Sequence, residues 1–506
     1  MERPVARPVA PPLPVVVDSI ITAPPLARTH WGIEIHDPES SRTVYRLNAD
    51  KHFIPASNMK LVVTTVAMAE LGPEYRYRTE LLATGVTDSV ARDLIVVGSG
   101  DPTMSARFFE NDTAPLEALA DSVYLAGIRR VEGALIIDAS RFDDQWIHPT
   151  WEVGDIPWYY AAPVSAFAIA EAATPMIITP GAAPGEPAVL AFPEPAEAFV
   201  LRNRVVTDTA GAETDVDIRR APGSYDLDVS GTVALDDAPD TLWLSVVDPA
   251  AHAARALEAA LERRGIEIAS GVRVVYDAAE AATLRGPAAR LTPATDTAVA
   301  RAPDTATRRP DAAAAPDAPA PRRLATWTSP PLREIVAGIL EPSQNWIAEQ
   351  LLKTLGAERA GAGSWSAGLD VERRYLLDVV GIDSTAVYLV DGSGLSAQNL
   401  LSPQAIVQLL AHARSQPWGG AYRDALPEPG EEEGTLEERL EALQGRLHAK
   451  TGSLTHVNTL SGYVRTAAGR DLVFSVMTNA SGVSARTVRR AIDRIVAAMA
   501  ETGGRE

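Results

Sequence analysis

Two serines, an asparagine and two lysines stand at spacings from which nucleophilic chemistry is built. Ser57-Asn58-Met59-Lys60 sets a hydroxyl and an amine three positions apart. On a helix that spacing puts both side chains on one face within contact distance. Burial disfavours the charged ammonium, so a desolvated lysine beside a serine can take the hydroxyl proton near neutral pH. Lys450-Thr451-Gly452-Ser453 ends a strand-like run. Its glycine leaves room for a ligand backbone alongside, and its ammonium and hydroxyls can hold a carboxylate. Ser343-Gln344-Asn345 precedes a helical stretch and alone reads as a helix cap. With the other two segments it supplies a hydroxyl able to relay a proton and an amide able to fix a carbonyl.

Lysine occurs only at 51, 60, 353 and 450, every other basic side chain apart from histidine being arginine. Arginine stays charged, whereas lysine can be deprotonated and act as a base. Two of the four therefore fall inside the candidate motifs, while Lys51 and Lys353 have no derivable role.

The elements that must position these residues are legible in outline. Trp31 to Asp37 and Thr43 to Leu47 alternate as two strands about a polar turn. Ser57 to Leu71 reads as a helix entered after Pro55 and stopped by Gly72-Pro73, apolar nearly all round and hence buried. Helical periodicity recurs at Leu116–Leu125, Pro249–Arg264, Leu332–Leu340, Ile347–Leu355 and Ala485–Met499. Strands are expected at Leu94–Val97, Leu135–Asp138, Arg446–Thr451, Thr459–Arg465 and Asp471–Met477, with a β-rich stretch from Glu171 to Asp240. Two strands from the start and three from the end, flanked by helices, suggest one α+β domain interrupted by an insert.

The bulk numbers exclude several classes. At 506 residues the chain holds several domains, and its formal charge of -20 argues against a nucleic-acid partner. Without cysteine there is no disulfide, thiolate nucleophile or cysteine-ligated zinc. Met1 to Val17 is interrupted by prolines and lacks the unbroken apolar run of a signal peptide, so the chain begins after a cleavage point or starts atypically. The longest apolar candidate, Ile156 to Ala170, is broken by Pro157 and Pro163, and no integral membrane segment is expected.

The three motifs match, in order, the Ser-x-x-Lys, Ser-x-Asn and Lys-Thr-Gly pattern of penicillin-interacting enzymes. The sequence resembles the class C low-molecular-mass penicillin-binding proteins, the D-alanyl-D-alanine carboxypeptidase/endopeptidase family. Further blocks share the resemblance: Phe53-Ile54-Pro55-Ala56-Ser57, Gly98-Ser99-Gly100-Asp101-Pro102, Ala162-Pro163-Val164-Ser165-Ala166, Asp391-Gly392-Ser393-Gly394-Leu395-Ser396 and His448-Ala449-Lys450-Thr451-Gly452. It implies a transpeptidase-like domain, an antiparallel sheet flanked by helices and interrupted by a large two-part insert. The expected division is a proline-rich tail at 1–28, a catalytic domain at 29–79 and 324–503, a first inserted domain at 80–166 and 241–277, a second, β-rich one at 167–240, and a flexible linker at 278–323.

The resemblance further implies Ser57 as the acylated nucleophile and Lys60 as its base, with Lys60 neutral and Lys450 charged. Ser343 would deliver the proton to the leaving D-alanine, with Asn345 completing the second motif. Lys450, Thr451, Gly452 and Ser453 would bind the terminal carboxylate, and the N–H groups of Ser57 and Ser453 would form the oxyanion hole. No metal or cofactor is implied. The partners would be peptidoglycan stem peptides and β-lactam antibiotics, and the location periplasmic or otherwise extracytoplasmic. Gln344 stands where the family usually has aspartate, and Ala397 where an arginine often follows Gly394-Leu395-Ser396. Asp155 is a candidate for a diamino-acid amine. The long separation of Ser57 from Ser343 argues against a β-lactamase, and no Gly-x-Ser-x-Gly elbow, phosphate loop or His-Glu-x-x-His site is present. The rival from another class is a catalytically silent wall-binding scaffold of the same fold.

Overall fold

The structure, a computed structural model, describes residues 11–285 and 320–502. They fall into two units, one built from the described residues up to Met68, Val336–Ala348 and those from Glu372 onward, the other from Ala69–Ile335 and Glu349–Val371.

The first unit is organised by the period-two patterns at the two ends of the chain. Helix α1 (Leu13–Ile21) precedes β1 (His30–Asp37) and β2 (Arg42–Leu47), and α2 (Lys60–Glu70) follows. After α3 (Asn345–Ala360) and α4 (Pro403–Ser415) come β3 (Leu447–Leu454), β4 (Val457–Arg465), β5 (Asp471–Asn479) and α5 (Ala485–Ala500). The five strands form one antiparallel sheet in the order β3-β4-β5-β1-β2. The N-terminal hairpin thus completes a sheet begun by the last three strands, Ile33 lying opposite Val476 and Ile35 opposite Phe474. These apolar side chains share a core with Val17 and Ile20 of α1 and Ile492 and Ile495 of α5. The α+β sheet expected from the two chain ends is the one observed.

The proline-rich start is not a tail throughout. From Leu13 the chain is helical, with Pro12 at the N-cap and a proline in the first turn. Proline there forfeits no hydrogen bond, because the first N–H groups of a helix have no internal partner. Leu13, Val17, Ile20 and Ile21, at helical spacing, are all buried.

The second unit centres on a five-stranded sheet, Val272–Val275, Leu135–Asp138, Asp93–Val97, Arg78–Thr84 and Arg322–Thr328 in that order. Helices Ala114–Leu125 and Pro249–Arg263 share one apolar core with it. The β-rich stretch forms two three-stranded sheets around Met176, Val205, Val229 and Leu244. Of the segment expected as a linker, Ala278–Arg285 is a helix that buries Ala281, and Arg285 pairs with Asp138 at 3.2 Å. Alanine reads as low complexity in sequence, yet it is the strongest helix former. The chain is in strand again from Arg322, and positions 286–319 lie outside the described residues.

Val17 is fully buried in the first unit's core. We expect Val17→Asp, which puts an unpaired carboxylate there, to destabilise that unit by roughly 3 kcal/mol or more in denaturant unfolding. A loss within about 0.5 kcal/mol, as for a surface position, would return the segment to a tail.

Candidate active site

The site begins where the chain enters α2. Ala56 is held at φ 47°, and Ala56–Met59 form a 3-10 turn before the helix proper starts at Lys60. In a 3-10 turn, side chains three apart eclipse one another, which brings Lys60 directly over Ser57. The Lys60 amine is fully buried. Its Nζ lies 2.9 Å from Ser57 Oγ, 2.6 Å from Asn345 Oδ1 and 2.9 Å from the Ser393 carbonyl oxygen. Ser57 itself remains partly exposed.

Asn345 and Ser343 sit at the start of α3. The cap there is Gln344, whose side-chain oxygen accepts the Trp346 N–H at 2.7 Å, rather than Ser343 or Asn345. An aspartate carboxylate would accept the same bond, which explains why glutamine serves at this position. Ser343 occupies a left-handed conformation with φ 66°, and both it and Asn345 are only partly buried.

The third motif lies on β3, an edge strand. Strand alternation turns Leu447 and Ala449 into the core shared with α5, so Lys450 and Gly452 face the other side of the sheet. Asn58 Nδ2 donates to the Lys450 carbonyl at 3.0 Å, and Thr459 Oγ1 to that of Pro55 at 3.1 Å. A Cβ on Gly452 would overlap Thr459 Oγ1 and lie 2.9 Å from the Pro55 carbonyl oxygen and 3.0 Å from the Ser57 nitrogen. The glycine is thus required by Thr459 and by the backbone leading into Ser57. Thr451 is buried and Ser453 exposed.

Lys450 is fully buried, and Nζ donates to the Thr451 carbonyl at 3.2 Å. Burial, and then the charge of Lys60, push its ammonium well below the usual lysine range. Two ammonium groups in one buried site repel, so their titration belongs to the pair.

Sequence reasoning singled out the Asp391–Ser396 block after Val390 but gave it no role. Asp391 is fully buried, its Oδ1 accepting the Gly394 N–H at 2.8 Å and Asn399 Nδ2 at 2.7 Å, and its Oδ2 the Ser396 N–H at 2.7 Å. This knot presents the Ser393 carbonyl to Lys60. It also brings Gly394, at φ 82°, against the chain just before Ser57, where a Cβ would overlap the Ala56 carbonyl oxygen. The signal was the Asp-Gly-Ser-Gly-Leu-Ser run itself, an acid followed by glycines in a tight turn.

The remaining candidates lie elsewhere or do other work. Asp155 belongs to the second unit. It accepts from Tyr160 at 3.1 Å, and burial, together with the nearby Glu152, raises its carboxyl above the ordinary range. Ala397 is exposed. Lys353, also in the second unit, is fully buried, 2.6 Å from both Asp143 Oδ1 and the Gln145 carbonyl oxygen and 4.0 Å from the Trp365 ring centre. Lys51 makes a surface pair with Asp50 at 3.7 Å. Among the described residues no group of three or more His, Asp or Glu side chains converges so as to hold a metal ion.

Comparison with known proteins adds three findings. The sequence profile of the D-Ala-D-Ala carboxypeptidase 3 (S13) family matches residues 13–286 and 310–499. A D-alanyl-D-alanine carboxypeptidase of Actinomadura sp. (strain R39) is 33% identical, over 97% of this chain and 85% of the relative. The crystal structure of penicillin binding protein 4 from Haemophilus influenzae superposes with a TM-score of 0.78 at 20% identity, over 96% of this chain and 99% of that one; the same protein complexed with a β-lactam gives 0.71, also at 20% identity, over 95% and 97%.

Two outcomes follow from this geometry. Gly394→Ala should cost at least about 2 kcal/mol in thermal or denaturant unfolding, since both backbone angle and space are denied; a neutral change would mean the loop is not clamped. Lys450 binds its proton less tightly folded than unfolded, where lysine titrates near about 10.4. The unfolded state therefore holds more protons between the folded and unfolded values, and stability rises with pH across that window. The stability of the protein relative to Lys450→Met should accordingly climb as pH rises towards the unfolded lysine value and level off above about 10.4. A pH-independent difference would contradict this.

Proposed function

This chain belongs to the D-Ala-D-Ala carboxypeptidase 3 (S13) family, and we propose that it carries out that family's serine D,D-peptidase chemistry through Ser57. The observation that carries the reading is the buried Lys60 amine, 2.9 Å from Ser57 Oγ and in contact with two further oxygens, Asn345 Oδ1 and the Ser393 carbonyl. A neutral amine has two N–H bonds and one lone pair. The N–H bonds can serve acceptors such as these, and the lone pair of the neutral amine can take the Ser57 hydroxyl proton.

The steps then balance. Ser57 Oγ attacks the carbonyl carbon of the penultimate D-alanine while its proton passes to Lys60 Nζ. The resulting oxyanion is met by the N–H groups of Ser57 and Ser453. Support for Ser453 comes from the ladder. Leu454 and Val457 flank a two-residue turn, so hydrogen-bonded pairs alternate along β3 and the Ser453 N–H points to the free edge. The C–N bond breaks as the Ser343 hydroxyl hands its proton to the departing amine and takes in its place the proton held on Lys60, which leaves Lys60 neutral again. Water then attacks the Ser57 ester, giving a proton to Lys60, and Lys60 returns it to Ser57 Oγ as the ester C–O bond breaks, regenerating the free serine. The substrate's terminal carboxylate is held by Lys450, Thr451 and Ser453, with Gly452 leaving the edge open.

An anion beside Lys450 offsets both causes that depress its ammonium, so substrate binding draws the pair's proton to Lys450 and leaves Lys60 as the base. Asp155, with Glu152 close by, suits an ammonium on the substrate side chain. The substrates are peptidoglycan stem peptides, which places the work outside the cytoplasmic membrane, and β-lactams mimic them as acylating agents.

Incubation with benzylpenicillin should add one equivalent of its mass to the folded protein, and Ser57→Ala should abolish the adduct. An unchanged mass for the folded wild type would contradict the reading. Lys60→Met should slow acylation by roughly 10²–10⁴-fold, the ordinary worth of a positioned base. If acylation occurs but no muropeptide yields D-alanine, the silent wall-binding alternative takes its place.

A further inference from the structure

The second unit contains a cleft remote in sequence from the Ser57, Ser343 and Lys450 motifs. Two segments face each other across it, Val153–Trp158 and the hairpin region from Asp217 to Asp226, enclosing about 590 Å³. That volume falls in the range of roughly 300–1,000 Å³ typical of sites for compact ligands. Its walls combine three kinds of group. Trp158 is half-buried and Val153 is 68% exposed. Asp217 and Asp226 offer exposed carboxylates. Arg219 stands beside Asp217, Nε to Oδ2 at 2.7 Å.

Behind them lies Arg220, only 6% exposed. Its guanidinium donates to the Ser245 carbonyl at 2.5 Å and the Ile156 carbonyl at 3.2 Å. It also donates to Ser245 Oγ, while its Nε has no partner among the described residues. Burial lowers this arginine to about 10. Arg220 thus ties the Asp217–Asp226 wall to the Val153–Trp158 wall through the Ile156 carbonyl.

The balance of these groups selects the ligand. Two carboxylates and two guanidiniums sum to no net charge, which disfavours polyanions and polycations alike. An indole face flanked by both donors and acceptors is complementary to a sugar, whose apolar C–H face stacks on an aromatic ring while its hydroxyl and acetamido groups give and take hydrogen bonds. The position agrees. The loop that supplies Val153, Gly154, Pro157 and Trp158 to the cleft also carries Asp155, proposed above to meet an ammonium on the substrate side chain.

We infer that the Val153–Trp158/Asp217–Asp226 cleft binds the N-acetylated amino-sugar strand to which the stem peptide is attached. This rests on the peptidoglycan reading and extends it from the peptide to its carrier. Such a site directs the enzyme to peptides still on polymer.

The test titrates the full-length protein with peptide-free peptidoglycan glycan strands, following intrinsic tryptophan fluorescence and calorimetry. The wild type should bind, and an Asp217→Ala/Asp226→Ala variant, changed only at exposed positions, should bind at least tenfold more weakly. The variant should keep the wild-type rate of benzylpenicillin acylation and of D-alanine release from a soluble pentapeptide, while losing several-fold in release from intact sacculi. Absence of glycan binding by the wild type, or equal binding by the variant, would overturn the inference while leaving the Ser57 chemistry intact. Binding of free stem peptide that the same substitutions abolish would give the cleft to peptide instead, and would equally overturn it. A failure of acylation counts against the Ser57 reading alone, since the glycan titration decides the cleft.

Discussion

A lysine amine taken wholly out of water needs its hydrogen bonds supplied by the protein, because an unpaired buried donor or charge costs several kcal/mol. At Lys60 three oxygens supply them, from Ser57, Asn345 and the Ser393 carbonyl. The last two lie 285 and 333 positions from the lysine. Much of the first unit can be understood as what holds those oxygens in place. The 3-10 turn aligns Ser57, the Gln344 cap fixes the start of α3, and the Asp391 knot points the Ser393 carbonyl inward. Each holder is a local device, and each acts at a distance only because the sheet brings the segments together.

That sheet has its own constraint. The backbone leading into Ser57 and the edge strand approach so closely that Gly452 tolerates no Cβ without displacing Thr459 and crowding Pro55 and Ser57, and Gly394 none without displacing Ala56. Gly394 is therefore set by backbone contact, and Gly452 by the Thr459 side chain together with that backbone. The arrangement leaves one edge of β3 open beside Ser57, which is where a substrate backbone can lie. Asn58 and Thr459 tie the same two segments by side-chain bonds to the carbonyls of Lys450 and Pro55. The motifs are thus one structure, and the spacing between the first two in sequence is taken up mainly by the second unit.

What the sequence disclosed follows from the range of each interaction. Ser57 and Lys60 are legible because their spacing is local, and the hairpin at Trp31–Leu47 because strand periodicity and turn residues are local too. The sheet that joins it to β5 was legible only by inference from two separated strand groups. The Ser393 carbonyl was not, since a backbone oxygen has no residue signature, and neither was the Lys353–Asp143 pair, whose partners are 210 positions apart. Helix α1 was hidden for another reason. Its prolines suggested an extended tail, although Leu13, Val17, Ile20 and Ile21 already carried helical spacing and prolines are tolerated in the first turn.

The chemistry proposed for Ser57 rests most directly on the depressed Lys450 ammonium, held down by burial and then by the charge of Lys60. With only four lysines in the chain, an NMR titration of ¹³Cε-labelled lysine yields few enough signals to assign by single substitution. The account predicts that the Lys450 signal titrates well below the ordinary lysine value of about 10.4, and that Lys450→Met displaces the titration of the Lys60 signal. A Lys450 signal titrating at the ordinary value, with Lys60 indifferent to its removal, would contradict it.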